Sequence, residues 1–278
     1  MPNFEKNAGN NVETLREMAK NVKVIFFDID DTLRVKDTKY LPPSVPKAIR
    51  QLQEKGIHIG IASGRAYYGI APEVIALSAD YYVTINGQYV RAADGTEIYA
   101  NPIPTNAVEK IVAWAKASGI EYGFVGSKQA VVSKWTPTVA DAVTVVYGKL
   151  DADPSFYKTH RIYQMWSFTE KEGGETLPSE LAADVRLVRW HPHSSDIVPM
   201  NGSKATGISH VLERLAMTKD QLMVFGDELN DIEMFQYAGF SVAMGNAHEA
   251  LKPLATFITK HIEKDGVAYA LETLGLIH

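Results

Sequence analysis

Asp28 and Asp30 follow the apolar stretch in the run Val22-Lys23-Val24-Ile25-Phe26-Phe27-Asp28-Ile29-Asp30-Asp31-Thr32-Leu33. Side chains two apart on extended backbone point the same way, so the two carboxylates share one small volume. Carboxylates that close repel unless a cation or a shared proton relieves them. The pair suits a Mg²⁺ site, because hard divalent cations take oxygen ligands. It equally suits a nucleophile beside a general acid. A lone D-x-D could also be an acidic turn and nothing more. Three stretches further along argue otherwise.

Ser63-Gly64-Arg65 ends a second apolar run. A hydroxyl followed by glycine can offer Oγ and backbone N–H groups to an anion, although serine is also a common plain helix N-cap. Lys204 lies in Met200-Asn201-Gly202-Ser203-Lys204-Ala205-Thr206-Gly207, at an expected helix start. A cation there opposes the helix dipole. An anion held at that terminus would account for it; a solvated lysine is the plainer alternative. The stretch is not a P-loop, since G-x-x-x-x-G-K-[ST] does not occur. Gly226-Asp227-Glu228-Leu229-Asn230-Asp231 follows the apolar Leu222-Met223-Val224-Phe225, so a second buried strand ends in carboxylates.

Taken in order, the four stretches resemble the motifs of the haloacid dehalogenase (HAD) superfamily of phosphatases. The resemblance covers nearly the whole chain. In the first motif Asp31 stands where glycine is usual, adding a negative charge beside the site. The resemblance implies that Asp28 is the nucleophile and Asp30 the general acid and base. It implies a Mg²⁺ held by a side-chain oxygen of Asp28, the backbone carbonyl of Asp30, Asp227 directly, and Asp231 directly or through water. Thr32, Ser63, Gly64, Arg65 and Lys204 fall on phosphate- or substrate-binding positions, and Asn230 on one that orients its neighbours. Asn86, before Gly87 at the end of a third strand, matches a substrate contact at the edge of the site. The insert between the second and third motifs is similar to that of the Cof-type subfamily IIB. The implied fold is a Rossmann-like α/β parallel-sheet core with an inserted α+β cap of C2B type. The implied activity is Mg²⁺-dependent hydrolysis of a small phosphate monoester, a sugar phosphate or similar metabolite, through an aspartyl phosphate. A phosphosugar mutase on the same scaffold and a non-catalytic phosphate binder stand as alternatives. A receiver-type signalling domain would be less than half this length, without the insert.

The elements that must position these residues follow from periodicity. After the first strand the pattern predicts a helix over 44–55, a strand over 57–62, a helix over 67–77 and a strand over 81–85. Such alternation indicates βαβ units and a parallel sheet. The pattern then changes to hairpins at 88–99 and 120–133, helices at 105–117 and 138–147, a strand over 160–168 and a charged loop at 171–175. Helices at 203–215, 231–237, 248–255 and 266–274 and strands at 222–225 and 240–243 restore the first pattern. This predicts a tail over 1–20 with a short helix at 12–19, a catalytic core over 21–86 and 190–278, and an inserted cap over 87–189 that acts as a substrate-selecting lid.

Tyr122, Phe124, Trp135, Tyr147, Tyr163 and Trp166 crowd the insert and read as its core. His191 and His193 fall on one face of an expected strand beside Trp190. They could form a metal pair, but no third ligand is evident, which favours a structural role. Asp196 has no derivable role.

Of 278 residues 46% are apolar and 22% charged, ordinary for a globular protein. The net charge of −5, from 28 basic and 33 acidic residues, argues against binding a nucleic-acid backbone. The absence of cysteine excludes disulfides, thiolate catalysis and Cys-ligated zinc. No apolar run approaches the ~20 residues of a membrane span, and the polar, charged start does not read as a signal peptide. These features predict a cytoplasmic protein whose partner is a small phosphorylated metabolite, with neither nucleic acid nor membrane involved.

Overall fold

A computed structural model describes residues 12–170 and 175–278. The predicted tail before residue 12 and the predicted charged loop, except Glu175, lie outside the described residues. In chain order the regular elements are α1 (Val12–Ala19), β1 (Val24–Phe27), α2 (Ser44–Glu54), β2 (His58–Ala62), α3 (Pro72–Ile75), β3 (Tyr81–Thr84), β4 (Tyr89–Ala92) and β5 (Glu97–Ala100). There follow α4 (Thr105–Ala117), β6 (Glu121–Val125), β7 (Ala130–Val132), α5 (Pro137–Tyr147), β8 (Gln164–Phe168), β9 (Val185–His191) and β10 (Ser194–Pro199). The chain ends with α6 (Lys204–Leu215), β11 (Leu222–Gly226), α7 (Ile232–Tyr237), β12 (Phe240–Ala243), β13 (Phe257–Ile258) and α8 (Gly266–Thr273).

The chain divides into two units. Unit 1 comprises residues up to Gly64, Ala71–Ile98 and Ser203–His278. Its eight-stranded sheet runs β13-β12-β11-β1-β2-β3-β4-β5. β1 pairs in parallel with β2 on one side and β11 on the other. Strand order therefore reverses direction at β1, and ligands of open α/β sheets bind at such a switch point, beyond the carboxyl ends of the strands. All four residues of β1 and all five of β11 are buried, as expected of central parallel strands covered on both faces. The helices supply the cover: α2 buries Val45, Ala48, Ile49 and Leu52 at helical spacing.

Unit 2 comprises Arg65–Ile70 and Tyr99–Gly202. Its five-stranded sheet runs β7-β6-β8-β10-β9, with antiparallel β6–β7, β6–β8, β8–β10 and β9–β10 pairs. One face packs on α4 through Val108, Ile111, Tyr122, Phe124, Met165 and Ile197. Tyr147 and Trp166, with ring centroids 5.2 Å apart, meet in another cluster.

The units thus divide elsewhere than at 87 and 189. β4 pairs antiparallel with β3, Val83 opposite Val90, so the first hairpin extends the large sheet instead of opening the insert. At the far end, 190–199 complete β9 and form β10 of the small sheet. Residues 65–70 also join unit 2. The Tyr68 ring lies against Tyr147, tilted at 50° with centroids 5.9 Å apart, and its hydroxyl donates to Gly126 O at 3.4 Å.

Two predicted helices are shorter than expected. Residues 67–77 form a 3₁₀ turn at Tyr67–Gly69 and then α3, which restarts with Pro72 at its first position. Residues 248–255 yield only a 3₁₀ turn, Lys252–Leu254, because Pro253 has no N–H to continue a helix. β13 escaped prediction at two residues long. Among the described residues no helix is long and apolar enough to cross a membrane.

Candidate active site

β1 ends at Phe27, and the Asp28 amide continues the ladder by donating to Phe225 O at 3.0 Å. β11 ends at Gly226, so Asp227 emerges beside Asp28 at the switch point. Asp231 returns to the same place through a one-turn 3₁₀ segment, Leu229–Asp231. Its Oδ2 accepts the amides of Asp227 at 2.9 Å and Glu228 at 3.1 Å. This fold-back requires Gly226, where a Cβ would stand 2.5 Å from Asp231 Oδ2. One carboxylate oxygen from each of Asp28, Asp227 and Asp231 lies within 4.8 Å of the others.

Lys204 is the first residue of α6, whose N-cap Ser203 accepts Thr206 N at 3.2 Å. It is 0% exposed, which excludes the solvated alternative. Its Nζ donates to Asp28 Oδ1 at 2.5 Å and Asp231 Oδ1 at 2.6 Å. Burial alone would lower the lysine pKa, but Asp231 and Asp28 more than offset this and hold it above its usual range. The carboxylates shift the other way. Burial, opposed by Lys204 and reinforced by Asp231 and Asp30, pushes Asp28 up to about 7. Burial and the Asp28 charge push Asp227 up to about 9. Three buried carboxylates face one ammonium, so full ionisation would leave the site with excess negative charge.

α6 reaches this position through the turn after β3. Ile85 and Asn86 have φ of 53° and 51°, and Gly87 has φ of 88°. A β-branched residue in that region is strained, and strain of this kind gathers at functional sites. A Cβ on Gly87 would lie 1.9 Å from Ser203 O. Only glycine lets the turn meet the start of α6 this closely.

The remaining predicted residues sort as follows. Ser63 is buried at the end of β2; its amide donates to Val83 O and its carbonyl accepts Asn86 N at 3.0 Å. No helix follows it directly, which removes the plain N-cap reading. Gly64 abuts the Asn86 side chain, 3.2 Å from its would-be Cβ. Asn230 Nδ2 donates to Asn86 Oδ1 at 3.0 Å, so two asparagines 144 residues apart meet. Asp30 is half-buried in the loop after β1 and lies outside the three-carboxylate group. Thr32 is fully buried and its hydroxyl donates to Asp227 Oδ1 at 2.6 Å. That engages it with a carboxylate, where a phosphate contact was expected. Arg65 belongs to unit 2, where Nη1 donates to Gly69 O at 3.2 Å. Asn246 was given no role by sequence. Its Nδ2 donates to Asp31 O at 2.7 Å and its Oδ1 accepts Ile262 N at 3.0 Å, fixing the loop after β1. A cavity of about 400 Å³ adjoins Asp227, lined also by Asp31, Asn246, His248 and His261. Its walls include neither Asp28 nor Lys204, so it neighbours the charged cluster without containing it.

The carboxylates fit a hard divalent cation. The donors are all oxygen, they converge, and their mutual repulsion is what a cation relieves.

A model of the haloacid dehalogenase-like hydrolase family matches residues 25–271. A Streptococcus pyogenes protein with the provisional name bifunctional phosphatase/peptidyl-prolyl cis-trans isomerase is 49% identical over 263 residues, 95% of this chain. The chain spans 56% of that relative's length. Bacillus subtilis YkrA, provisionally named a phosphatase, is 38% identical across 92% of this chain and 98% of its own. Among solved structures, a hypothetical protein of Geobacillus kaustophilus superposes with a TM-score of 0.86 at 36% identity, over 92% of this chain and 100% of its own. The HAD subclass IIB sugar phosphatase BT4131 gives 0.79 at 28%, over 92% and 100%.

Proposed function

This chain belongs to the haloacid dehalogenase-like hydrolases, as a Cof-type member of subclass IIB, and we propose that within this family of phosphoric monoester hydrolases it is a Mg²⁺-dependent phosphatase of small metabolites acting through an aspartyl phosphate. The observation that carries the reading is the fully buried Lys204 held between Asp28 and Asp231, with Asp227 alongside. An ammonium and an excess of carboxylates at a switch point can take a phosphoryl dianion only if the surplus negative charge is neutralised.

Asp28 and Asp227 would hold the cation, with the Asp30 carbonyl. Asp231 serves it indirectly, because Lys204 engages its Oδ1 and two backbone amides its Oδ2. Bound Mg²⁺ would supply charge neutralisation at the phosphoryl oxygens. Lys204 orients Asp28 through Oδ1 and leaves Oδ2 to attack phosphorus. As that P–O bond forms, the ester P–O bond breaks, and Asp30 gives its proton to the departing alkoxide. Asp30 then takes a proton from water, whose oxygen attacks the phosphorus of the aspartyl phosphate. Inorganic phosphate leaves and Asp28 is again a carboxylate. Ser63 and the Gly64 amide bind the transferring phosphoryl group. Thr32 positions Asp227, and Asn86 with Asn230 flanks the substrate.

The unit 1 residues handle the phosphoryl group alone, so we assign choice of leaving group to unit 2. Arg65 belongs to that assignment. A sugar phosphate is the first substrate class to test, given the likeness to BT4131. The cysteine-free composition fits a reducing cytoplasm, and that location is part of the proposal.

Release of phosphate from an aryl phosphate, measured with Mg²⁺, with Ca²⁺ and with chelator, tests the reading. Turnover should require Mg²⁺. Ca²⁺ should inhibit, since its looser shell accepts bidentate carboxylates and would occupy Asp28 away from attack. Equal rates in all three would overturn the metal requirement.

A further inference from the structure

We propose that unit 2 carries a separate cation site, for a borderline transition ion such as Zn²⁺, built from Asp141, His191 and His193. β9 and β10 are joined by the two residues Pro192 and His193, and the register shifts between Ser194 and Ser195. Both imidazoles therefore lie at one end of the hairpin, with ring centroids 5.8 Å apart at 69°. The third ligand that the sequence did not reveal comes from α5, 52 residues before His193. Asp141 Oδ2 lies 3.1 Å from His193 Nδ1 and 3.9 Å from His191 Nε2. One donor atom from each residue falls within 4.8 Å of the others. Ligands of a tetrahedral ion bound at 2.0–2.2 Å stand about 3.3 Å apart, so the two separations from Asp141 need little adjustment.

The hydrogen bonds mark where an ion would replace protons. In the pair described above, His193 Nδ1–H donates to the Asp141 carboxylate, which can only accept when ionised. The His193 amide donates to His191 Nδ1 at 3.2 Å, which leaves the neutral His191 ring with its proton on Nε2, facing the same carboxylate oxygen. On binding, the His193 proton moves to Nε2. The His191 proton moves to Nδ1, and solvent takes over the amide bond at this partly exposed turn. Protons and the ion thus compete for the same nitrogens.

Donor chemistry separates this site from the one in unit 1. Two imidazole nitrogens and one carboxylate suit Zn²⁺, Ni²⁺ or Cu²⁺, whereas Mg²⁺ keeps to oxygen. All three side chains are partly exposed, leaving a coordination position for water or a ligand. A bound ion would tie α5 to the β9–β10 turn and stabilise unit 2. None of this depends on the phosphatase reading.

The test uses the full, untagged chain with Mg²⁺ present in excess. Calorimetry with Zn²⁺ should give one binding equivalent that H191A/H193A loses and that Asp141→Asn weakens roughly tenfold or more, as loss of one of three ligands implies. Asp227→Asn should retain it. With Cu²⁺ as probe, pulsed electron paramagnetic resonance should report imidazole nitrogens in the wild type that disappear in H191A/H193A. Zn²⁺ should raise the melting temperature of the wild type and not that of H191A/H193A. Should the double variant fail to fold, the exposed Asp141→Asn decides alone. Equal Zn²⁺ binding by wild type and variants, loss of the equivalent in Asp227→Asn instead, or no binding to the wild type would overturn the site.

Discussion

In unit 1 the buried polar groups are titratable and converge. Lys204, Asp28, Asp227 and Asp231 are each at most 7% exposed and meet at the ends of two parallel strands and the start of one helix. In unit 2 they are spread along an antiparallel sheet. Gln164 and Ser167 are buried along β8 and Ser194 and Ser195 along β10, none of them ionisable, and the large side chains are rings. The difference follows from topology. A parallel sheet puts all its carboxyl ends on one edge, so residues from β1, β2, β3 and β11 arrive at one place. An antiparallel sheet alternates its ends and cannot concentrate loops in that way. Among the described residues of unit 2 the nearest approach to a charge cluster is at a hairpin turn.

If the convergence in unit 1 is catalytic, removing a member should affect turnover and stability differently. Asp28→Asn should cost at least about three orders of magnitude in kcat, as nucleophile loss does. Circular dichroism should show an intact fold, because the swap is isosteric and removes a crowded charge. Lys204→Met should combine both losses. It leaves Asp28 and Asp231 buried without their counter-ion, an imbalance worth about 3–5 kcal/mol, to be read as a large drop in melting temperature. Gly87→Ala sharpens the point without touching a charge. Its Cβ would collide with Ser203 O and displace the start of α6. The expected destabilisation is about 1–3 kcal/mol, with a fall in kcat traceable to Lys204.

Unit 2 should answer to pH. Asp196 is pushed up to about 7 by burial of its carboxylate, with Trp166 and Trp190 opposing. Gln164 Nε2 donates to its Oδ1 at 2.9 Å. Its ordinary pKa is 3.8. Between that value and about 7 the folded protein holds a proton that the unfolded chain releases. Its stabilising contribution is therefore complete below 3.8 and is lost as pH rises through about 7. Asp196→Asn should flatten that decline and raise the melting temperature by a few degrees in alkaline buffer. An unchanged profile would show that the carboxylate is hydrated.

Much of unit 1 was legible because its signals are local. Each motif is a short run at a strand end or helix start, and α1 keeps the bounds that periodicity predicts, as does α4 in unit 2. The engagement of Thr32 was not legible, because its partner Asp227 is 195 residues away. The hairpin 88–99 looked like the start of the insert, because hairpin chemistry does not reveal which sheet edge it joins. Edge pairing of Val83 with Val90 is decided by tertiary packing. Gly69, Pro72 and Pro253 were visible breakers whose weight periodicity underestimated. No third ligand is evident beside His191 and His193 in the sequence, because Asp141 belongs to another element, 52 residues before His193.

Acid-quenched enzyme, sampled during turnover of an aryl phosphate with Mg²⁺ and examined by peptide mass spectrometry, tests the central claim most directly. The account predicts a phosphoryl group on the peptide bearing Asp28, absent from Asp28→Asn and from chelator-treated enzyme. An enzyme that turns over with no phosphoryl on Asp28, or with the group on another residue, would contradict it.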